Sequence, residues 1–144
     1  MQYSAYYVEE SEGTFSASIS KLELKKPTDG FVQIKVSHSS LNYKDALSAS
    51  GNKGVTRNYP FVPGIDAAGT IADANSSHFA DGDEVLVTGY DMGMNTPGGF
   101  GEYINVPANW VVKKPSALTN IEAMSIGTAG LTAAASVAKI RSLH

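Results

Sequence analysis

Residues 63–71 read Pro-Gly-Ile-Asp-Ala-Ala-Gly-Thr-Ile, and another proline stands at position 60. The two prolines restrict the backbone on the approach to this stretch. Its glycines and alanines are typical of a strand that passes close to another segment of the chain. We therefore predict a closely packed strand at 64–71, and the flanking sequence indicates the fold to which it belongs.

Short strands joined by turns surround this segment. Residues 3–9 and 15–24 flank a turn that contains glycine, which predicts an opening hairpin. Apolar and polar residues alternate along 31–36, as expected for a strand with one buried face. Further elements are predicted as strands at 84–88, 102–106 and 109–112 and as a short helix at 39–47. This pattern predicts a mainly β chain with short helices, folded as a small β-barrel.

The pattern changes to helix after residue 115. Residues 119–122 read Thr-Asn-Ile-Glu, the capping-box pattern that opens a helix. Two glycines interrupt this helix before it continues as a nearly all-apolar stretch at 131–138. A helix that is apolar on most sides has to be buried against more protein, but the sequence ends soon afterwards. We therefore expect one domain at 1–118, followed at 119–144 by the start of a second domain whose remainder is missing.

The composition is that of a globular protein, and it excludes several functions. The chain of 144 residues is 42% hydrophobic and 17% charged, with a formal net charge of −3. We expect no nucleic-acid partner, because such proteins carry a clustered excess of basic residues. The absence of cysteine excludes a disulfide framework and a thiolate metal site.

The sequence predicts a soluble, cytoplasmic protein. Its first residues lack the basic and apolar segments of a signal peptide. The longest apolar region, 123–140, contains several glycines, serines and threonines. Because it is interrupted in this way, we expect neither a membrane span nor a membrane partner.

Sequence motifs for dinucleotides, metals and nucleophiles are missing. No G-x-G-x-x-G occurs, and the nearest patterns are Gly-Gly-Phe-Gly at 98–101, before a strand, and Gly-Thr-Ala-Gly at 127–130, inside a helix. Neither predicts a phosphate loop. There is no G-x-S-x-G, and the three histidines are far apart in the sequence, so we expect no metal site.

Three polar residues at the short helix are the candidates for chemistry. Asn42, Tyr43 and Asp45 bring together an amide, a phenol and a carboxylate. Asn42 and Asp45 are three positions apart and lie on one helix face. The residues alone favour a structural interpretation, with Asn42 as the N-cap and Asp45 as the acid of the first turn.

The order of five segments along the chain gives a more specific indication. They are LNYKD at 41–45, PGIDAAG at 63–69, FADGDEV at 79–85, GGFGEY at 98–103 and GTAGLTA at 127–133. In these segments the chain resembles the medium-chain dehydrogenase/reductase superfamily. It is most similar to the branch of quinone oxidoreductases and acryloyl-CoA reductases. Zinc-dependent members place cysteine, histidine and glutamate ligands in the first two segments, where this chain has Asn42, Tyr43, Ile65 and Asp66.

The resemblance implies a fold and an activity. Residues 1–118 would form a GroES-like β-barrel that holds the substrate, and 119–144 would be the first helical segment of a missing Rossmann domain. The implied reaction is zinc-independent hydride transfer from NADPH to a quinone or to an α,β-unsaturated acyl substrate such as acryloyl-CoA. NADPH would bind mainly to the missing domain, no metal would take part, and the parent protein would be a homodimer.

The resemblance also implies roles for individual residues. Asn42 and Tyr43 would lie beside the nicotinamide and the substrate carbonyl, where Tyr43 would polarise the carbonyl or donate a proton. Asp45 would support catalysis by orienting the helix. Thr128 and Thr132 would contact the cofactor, and Arg57 would meet an acidic substrate group such as a CoA phosphate.

Two other functions are compatible with the sequence. A GroES-like barrel without a cofactor domain could be a non-catalytic module that binds a small molecule or a protein. It could also serve as an abundant structural protein. The apolar helix without a polar cap argues against the first, and the polar group at Asn42, Tyr43 and Asp45 argues against the second.

Overall fold

The computed structural model describes residues 1–75 and 77–143. Within these residues, seven strands and two helices follow one another, with a 3₁₀ turn at Ala108–Trp110 before the last strand. The strands are β1 (Gln2–Ser11), β2 (Thr14–Glu23), β3 (Phe31–His38), β4 (Asp66–Asp73), β5 (Glu84–Thr88), β6 (Tyr103–Pro107) and β7 (Val112–Lys113). The helices are α1 (Tyr43–Ala49) and α2 (Asn120–Arg141).

Five of the strands form one antiparallel sheet in the order β6-β3-β4-β5-β7. Strands β1 and β2 form a separate hairpin, as predicted. The hairpin joins the rest of the barrel through backbone bridges from Ala5 to Gly101 and from Val8 to Phe61. Alternate residues of the large sheet fill one apolar core, which includes Val32, Ile34, Ala67, Val85, Val87 and Val106. The mainly β fold class is therefore confirmed.

The central strand β4 runs very close to its neighbour. A Cβ added at Gly69 would overlap the carbonyl oxygen of Lys35 in β3. Only glycine allows this approach of two backbones, which explains why the predicted strand at 64–71 is built from small residues.

Two predicted elements differ from the structure. Helix α1 begins at Tyr43 instead of residue 39, because Asn42 adopts an extended conformation as its N-cap. Residues 109 and 110 of the strand predicted at 109–112 belong to the 3₁₀ turn, and pairing begins only at Val112. A short apolar stretch does not distinguish these two conformations.

Helix α2 consists of two halves joined by a kink at Gly127, whose φ of 50° and ψ of −163° are not helical. The first half packs against β4 through Ala123 and Met124. From residue 131 to 143 every side chain is exposed. The predicted interruption at Gly127 is confirmed, whereas Gly130 lies within the second half.

Helix α2 is long and apolar enough to cross a membrane by length and composition only, and little of it is buried. This finding does not contradict the expectation of no membrane span, which stays a prediction. A single such helix is weak evidence for a membrane span, because core helices of soluble proteins pass the same test.

The N-terminus of α2 has the predicted capping box. The Thr119 hydroxyl accepts the backbone N–H of Glu122 at 3.2 Å, and the Glu122 carboxylate accepts that of Thr119 at 2.8 Å. The hydrogen bonds that the Glu122 carboxylate accepts from the Thr119 backbone N–H and hydroxyl lower the pKa of Glu122.

We expect Thr119→Ala to reduce the free energy of unfolding by about 1 kcal/mol, because one helical N–H loses its partner. Urea unfolding measures this change, and Ser116→Ala, an exposed change outside the helix, is the control. Equal stability of the two variants would contradict the expectation.

Candidate functional site

A buried carboxylate lies where the barrel meets the second half of α2. Asp66, the first residue of β4, is 0% exposed. Its Oδ2 accepts a hydrogen bond from Asn42 Nδ2 at 2.9 Å and one from the Thr128 backbone N–H at 3.0 Å. Its Oδ1 accepts one from Thr128 Oγ1 at 2.6 Å. Asp66 therefore brings together two residues that are far apart in the sequence.

Asp66 also acts as the cap of the second half of α2. Gly127 stands before that half and has no side chain to cap it, so the carboxylate of Asp66 supplies the acceptor from another strand. A Cβ at Gly127 would lie 2.7 Å from Ser40 Oγ and 2.8 Å from Asp66 Oδ2. Ser40 in turn donates a hydrogen bond to the carbonyl oxygen of Met124 at 2.5 Å. The kink at Gly127 is thus held by Asp66 on the side of the second half of α2 and by Ser40 on the side of the first half.

A second buried carboxylate, Asp45, supports the helix that carries Asn42. It is 1% exposed and accepts the backbone N–H groups of Asn42 at 2.7 Å and of Ile65 at 2.9 Å. Burial raises the pKa of Asp45, the hydrogen bonds to its carboxylate lower it, and the nearby charge of Asp66 raises it further. The structural interpretation of Asn42 and Asp45 as N-cap and first-turn acid is therefore confirmed.

The side chain of Asn42 does not cap its own helix. Instead it reaches to Asp66, so one residue serves both as the N-cap position of α1 and as a link to α2. This double role was not evident from the sequence, where Asn42 and Asp66 belong to separate motifs.

The other predicted site residues lie at different distances from this cluster. Tyr43 follows Asn42 directly, but its side chain is 80% exposed, and within residues 1–75 and 77–143 its phenol makes no hydrogen bond. Thr132 lies one turn beyond Thr128 and donates its hydroxyl to the carbonyl oxygen of Thr128 at 2.8 Å. Arg57 is on a separate exposed loop, where its backbone contacts Asn95. The chemical roles of these residues remain predictions.

An apolar groove of about 500 Å³ opens beside α1. Its walls include Tyr6, Leu41, Ala46, Ala49 and Phe100. Leu41 is 82% exposed, directly before Asn42. An apolar groove next to a few polar groups is the usual form of a small-molecule site.

Sequence reasoning missed Asp66, Ser40 and Gly127 as parts of this site. The sequence did contain a signal for Asp66, because an acid inside a strand of small and apolar residues is expected to be buried. A buried carboxylate requires hydrogen-bond donors around it, and these mark a polar site. For Gly127 the sequence indicated only a helix break. Among the residues that the structure describes, no three His, Asp or Glu side chains converge as metal ligands.

Comparison with known proteins gives one family and several relatives. Residues 28–116 match the alcohol dehydrogenase GroES-like domain family. The chain is 48% identical over 114 residues to "Putative quinone oxidoreductase YhfP" of Bacillus subtilis, covering 79% of this chain and 34% of that protein. It is 39% identical over 125 residues to acrylyl-CoA reductase AcuI of Ruegeria pomeroyi, covering 87% and 38%. The chain thus spans between a third and two fifths of the length of these curated relatives.

Solved structures share the arrangement of strands and helices. The crystal structure of Bacillus subtilis YhfP with NAD bound superposes with a TM-score of 0.92 at 39% identity, covering 99% of this chain and 43% of that one. The YhdH oxidoreductase of Salmonella enterica in complex with NADP gives a TM-score of 0.90 at 41% identity, covering 99% and 43%. Both structures therefore extend well beyond the part that this chain matches.

Proposed function

The chain belongs to the alcohol dehydrogenase GroES-like domain family, and from this premise we propose that it is the substrate-side part of an NADPH-dependent oxidoreductase. The proposed reaction is zinc-independent hydride transfer to a quinone or to an α,β-unsaturated acyl substrate such as acryloyl-CoA. The predicted GroES-like fold and the resemblance to the medium-chain superfamily are confirmed. The activity is the proposal, because the relatives are much longer than this chain.

One observation carries the proposal: the cluster of Asn42, Asp66 and Thr128, in which Asn42 directly follows Leu41, a residue that lines the apolar groove. The segments of Asn42 and Asp66 are the two that hold zinc ligands in the zinc-dependent members of the superfamily. Here they carry Asn42, Tyr43, Ile65 and Asp66, and no cysteine occurs in the chain. Because catalytic zinc needs three protein ligands of the right kind and geometry, this donor set supports a zinc-independent reaction.

The residues present fit the reactive end of a nicotinamide cofactor but not its phosphates. Gly89 lies next to Thr128, since a Cβ there would be in van der Waals contact with Thr128 Oγ1 at 3.7 Å. The exposed phenol of Tyr43 and the side chains of Asn42 and Thr128 would contact the nicotinamide. NADPH, when bound, would supply the hydride. No G-x-G-x-x-G is present in the sequence to hold the pyrophosphate.

We propose that this chain's own residues bind and polarise the substrate. The apolar groove would exclude water from the acyl or quinone carbon skeleton. Asn42 keeps one N–H that is not donated to Asp66, and Tyr43 keeps its O–H, so both could donate to a carbonyl oxygen as negative charge develops there. Protonation of the resulting enolate would come from Tyr43 or from solvent.

The 144-residue chain by itself should show no measurable NADPH-dependent reduction of acryloyl-CoA or 1,4-benzoquinone. It contributes only the edge of the cofactor site, so positioning of the hydride is lost. Absorbance at 340 nm measures the reaction. Turnover by this chain alone would contradict the expectation.

The complete reading frame that encodes this chain provides the direct test. We expect it to oxidise NADPH with one of these two substrates, before and after dialysis against EDTA, and not to oxidise ethanol with NADP⁺. Zinc-dependent alcohol oxidation would overturn the proposal. A frame that ends at residue 144 would overturn it in favour of the binding module. Homodimerisation of the complete protein is part of the same proposal, and light scattering measures it.

A further inference from the structure

Asp66 is a buried charge that no cation neutralises among the described residues. The ion pairs there join Lys53 to Glu10, Lys113 to Asp83 and Lys114 to Glu84. Asp66 is instead surrounded by hydrogen-bond donors, one from α1 and two from α2. Donors that stabilise a buried carboxylate are held firmly, since losing one would leave the charge poorly solvated.

The hydrogen bonds around Asp66 have a fixed direction. An ionised carboxylate only accepts, so Asn42 must turn its NH₂ group, and not its oxygen, towards Asp66. The hydroxyl of Thr128 must give its single hydrogen to Asp66 at 2.6 Å. What remains for a ligand is one N–H and the oxygen of Asn42, together with the lone pairs of Thr128.

We propose that Asp66 is the positioning residue of this site: it sets which donors and acceptors Asn42 and Thr128 present to a ligand. The inference rests on the proposed function, which supplies a carbonyl-bearing substrate as that ligand. Asp66 does not touch the ligand itself. It acts by keeping the second N–H of Asn42 available as a donor and by making Thr128 an acceptor only.

Replacing Asp66 by leucine should remove this polarity. Asparagine would not, because its oxygen in the place of Oδ2 could still accept from both Asn42 Nδ2 and the Thr128 backbone N–H. Leucine is similar in size but accepts no hydrogen bond, so the Asn42 NH₂ group would lose its partner and become open to solvent.

Solvent exchange of the Asn42 side-chain NH₂, measured by NMR on the ¹⁵N-labelled chain, tests the proposal. In the wild type we expect one slowly exchanging proton, and in Asp66→Leu an exchange at least tenfold faster. The matched control is Ser40→Ala, which removes another hydrogen bond at the kink but keeps Asp66 as the partner of Asn42 Nδ2. Unchanged exchange in Asp66→Leu, or an equal increase in Ser40→Ala, would overturn the proposal.

A measurement on the wild type covers the case in which Asp66→Leu does not fold. Asn42 Nδ2 and the Thr128 backbone nitrogen both donate to Oδ2 of Asp66. Their protons should therefore give a nuclear Overhauser contact, and its absence would also overturn the proposal.

Titration with cyclohexanone, an unreactive carbonyl probe, separates this inference from the proposed function. We expect the probe to shift the Asn42 side-chain signal in the wild type and to shift it at least fivefold less in Asp66→Leu, where nothing holds the Asn42 amide. If the exchange and Overhauser results hold but cyclohexanone shifts nothing in the wild type, the carbonyl contact of the proposed function fails and the role of Asp66 stands. If the probe shifts both proteins equally, Asp66 does not set the polarity of the site.

Discussion

Gly127→Ala should detach the second half of α2 from the barrel. The new methyl group would meet Ser40 Oγ and Asp66 Oδ2 at under 3 Å, and a φ of 50° with a ψ of −163° strains any residue other than glycine. Backbone strain and the lost cap together should lower the free energy of unfolding by about 2–4 kcal/mol. Urea unfolding followed by circular dichroism at 222 nm measures the loss of stability and of helix.

Gly13→Ala is the matched control for this substitution. Gly13 also has a positive φ, of 78°, but a Cβ there has nothing within 4 Å. Gly13→Ala should therefore lower the free energy of unfolding only through backbone strain, by about 1–2 kcal/mol. It should leave the circular dichroism signal of the helices unchanged. Equal losses of helix in the two variants would show that contact with Ser40 and Asp66 does not matter at Gly127.

Asp45→Ala should be at least as damaging, because it leaves two backbone N–H groups without an acceptor. Those of Ile65 and Asn42 both bond to the Asp45 carboxylate. Each unsatisfied group costs about 1–3 kcal/mol, so we expect a total loss of about 2–5 kcal/mol by urea unfolding. Asp45→Asn keeps one acceptor oxygen and should lose less than the alanine variant. The opposite order would contradict this account.

The same residue gives a prediction for pH. Burial raises the pKa of Asp45 above its ordinary value of 3.8, so the folded chain holds this proton more tightly than the unfolded chain. The contribution of Asp45 to stability is therefore greatest at acid pH and falls as the pH rises from that value through the folded pKa. Asp83, Glu102 and Glu122 have lowered pKa values and act in the opposite sense.

The difference in stability between wild type and Asp45→Asn isolates this effect, because the other acids are common to both proteins. We expect the advantage of the wild type to shrink as the pH rises from 4 towards neutrality. An advantage that grows with pH would mean that the hydrogen bonds outweigh burial at Asp45.

Much of the fold could be predicted because its signals are local. The alternation along 31–36 and the turn at Glu12-Gly13 depend on neighbouring residues, and both elements form as expected. The capping box at Thr119 is a pattern of four residues and was also found. The start of α1 was predicted less accurately, because the extended conformation of Asn42 sets where the first turn begins.

The site could be predicted only in part, because it depends on contacts between distant segments. Asn42 and Thr128 were named through the resemblance, but their link through Asp66 spans residues 42 to 128 and leaves no local pattern. The sequence also gives no indication that Tyr43 would be exposed while Asp45, two positions later, is buried. Burial at the start of a short helix is decided by what packs over it.

The cap that Asp66 provides for Thr128 comes from 62 positions earlier in the chain, and this affects the order of events during synthesis. A short helix such as 128–141 is marginal in water on its own. On the ribosome, the strand that holds its cap emerges well before the helix does. We therefore expect the helix to form against a barrel that has already folded. A substitution that prevents the barrel from folding should then also prevent this helix from forming.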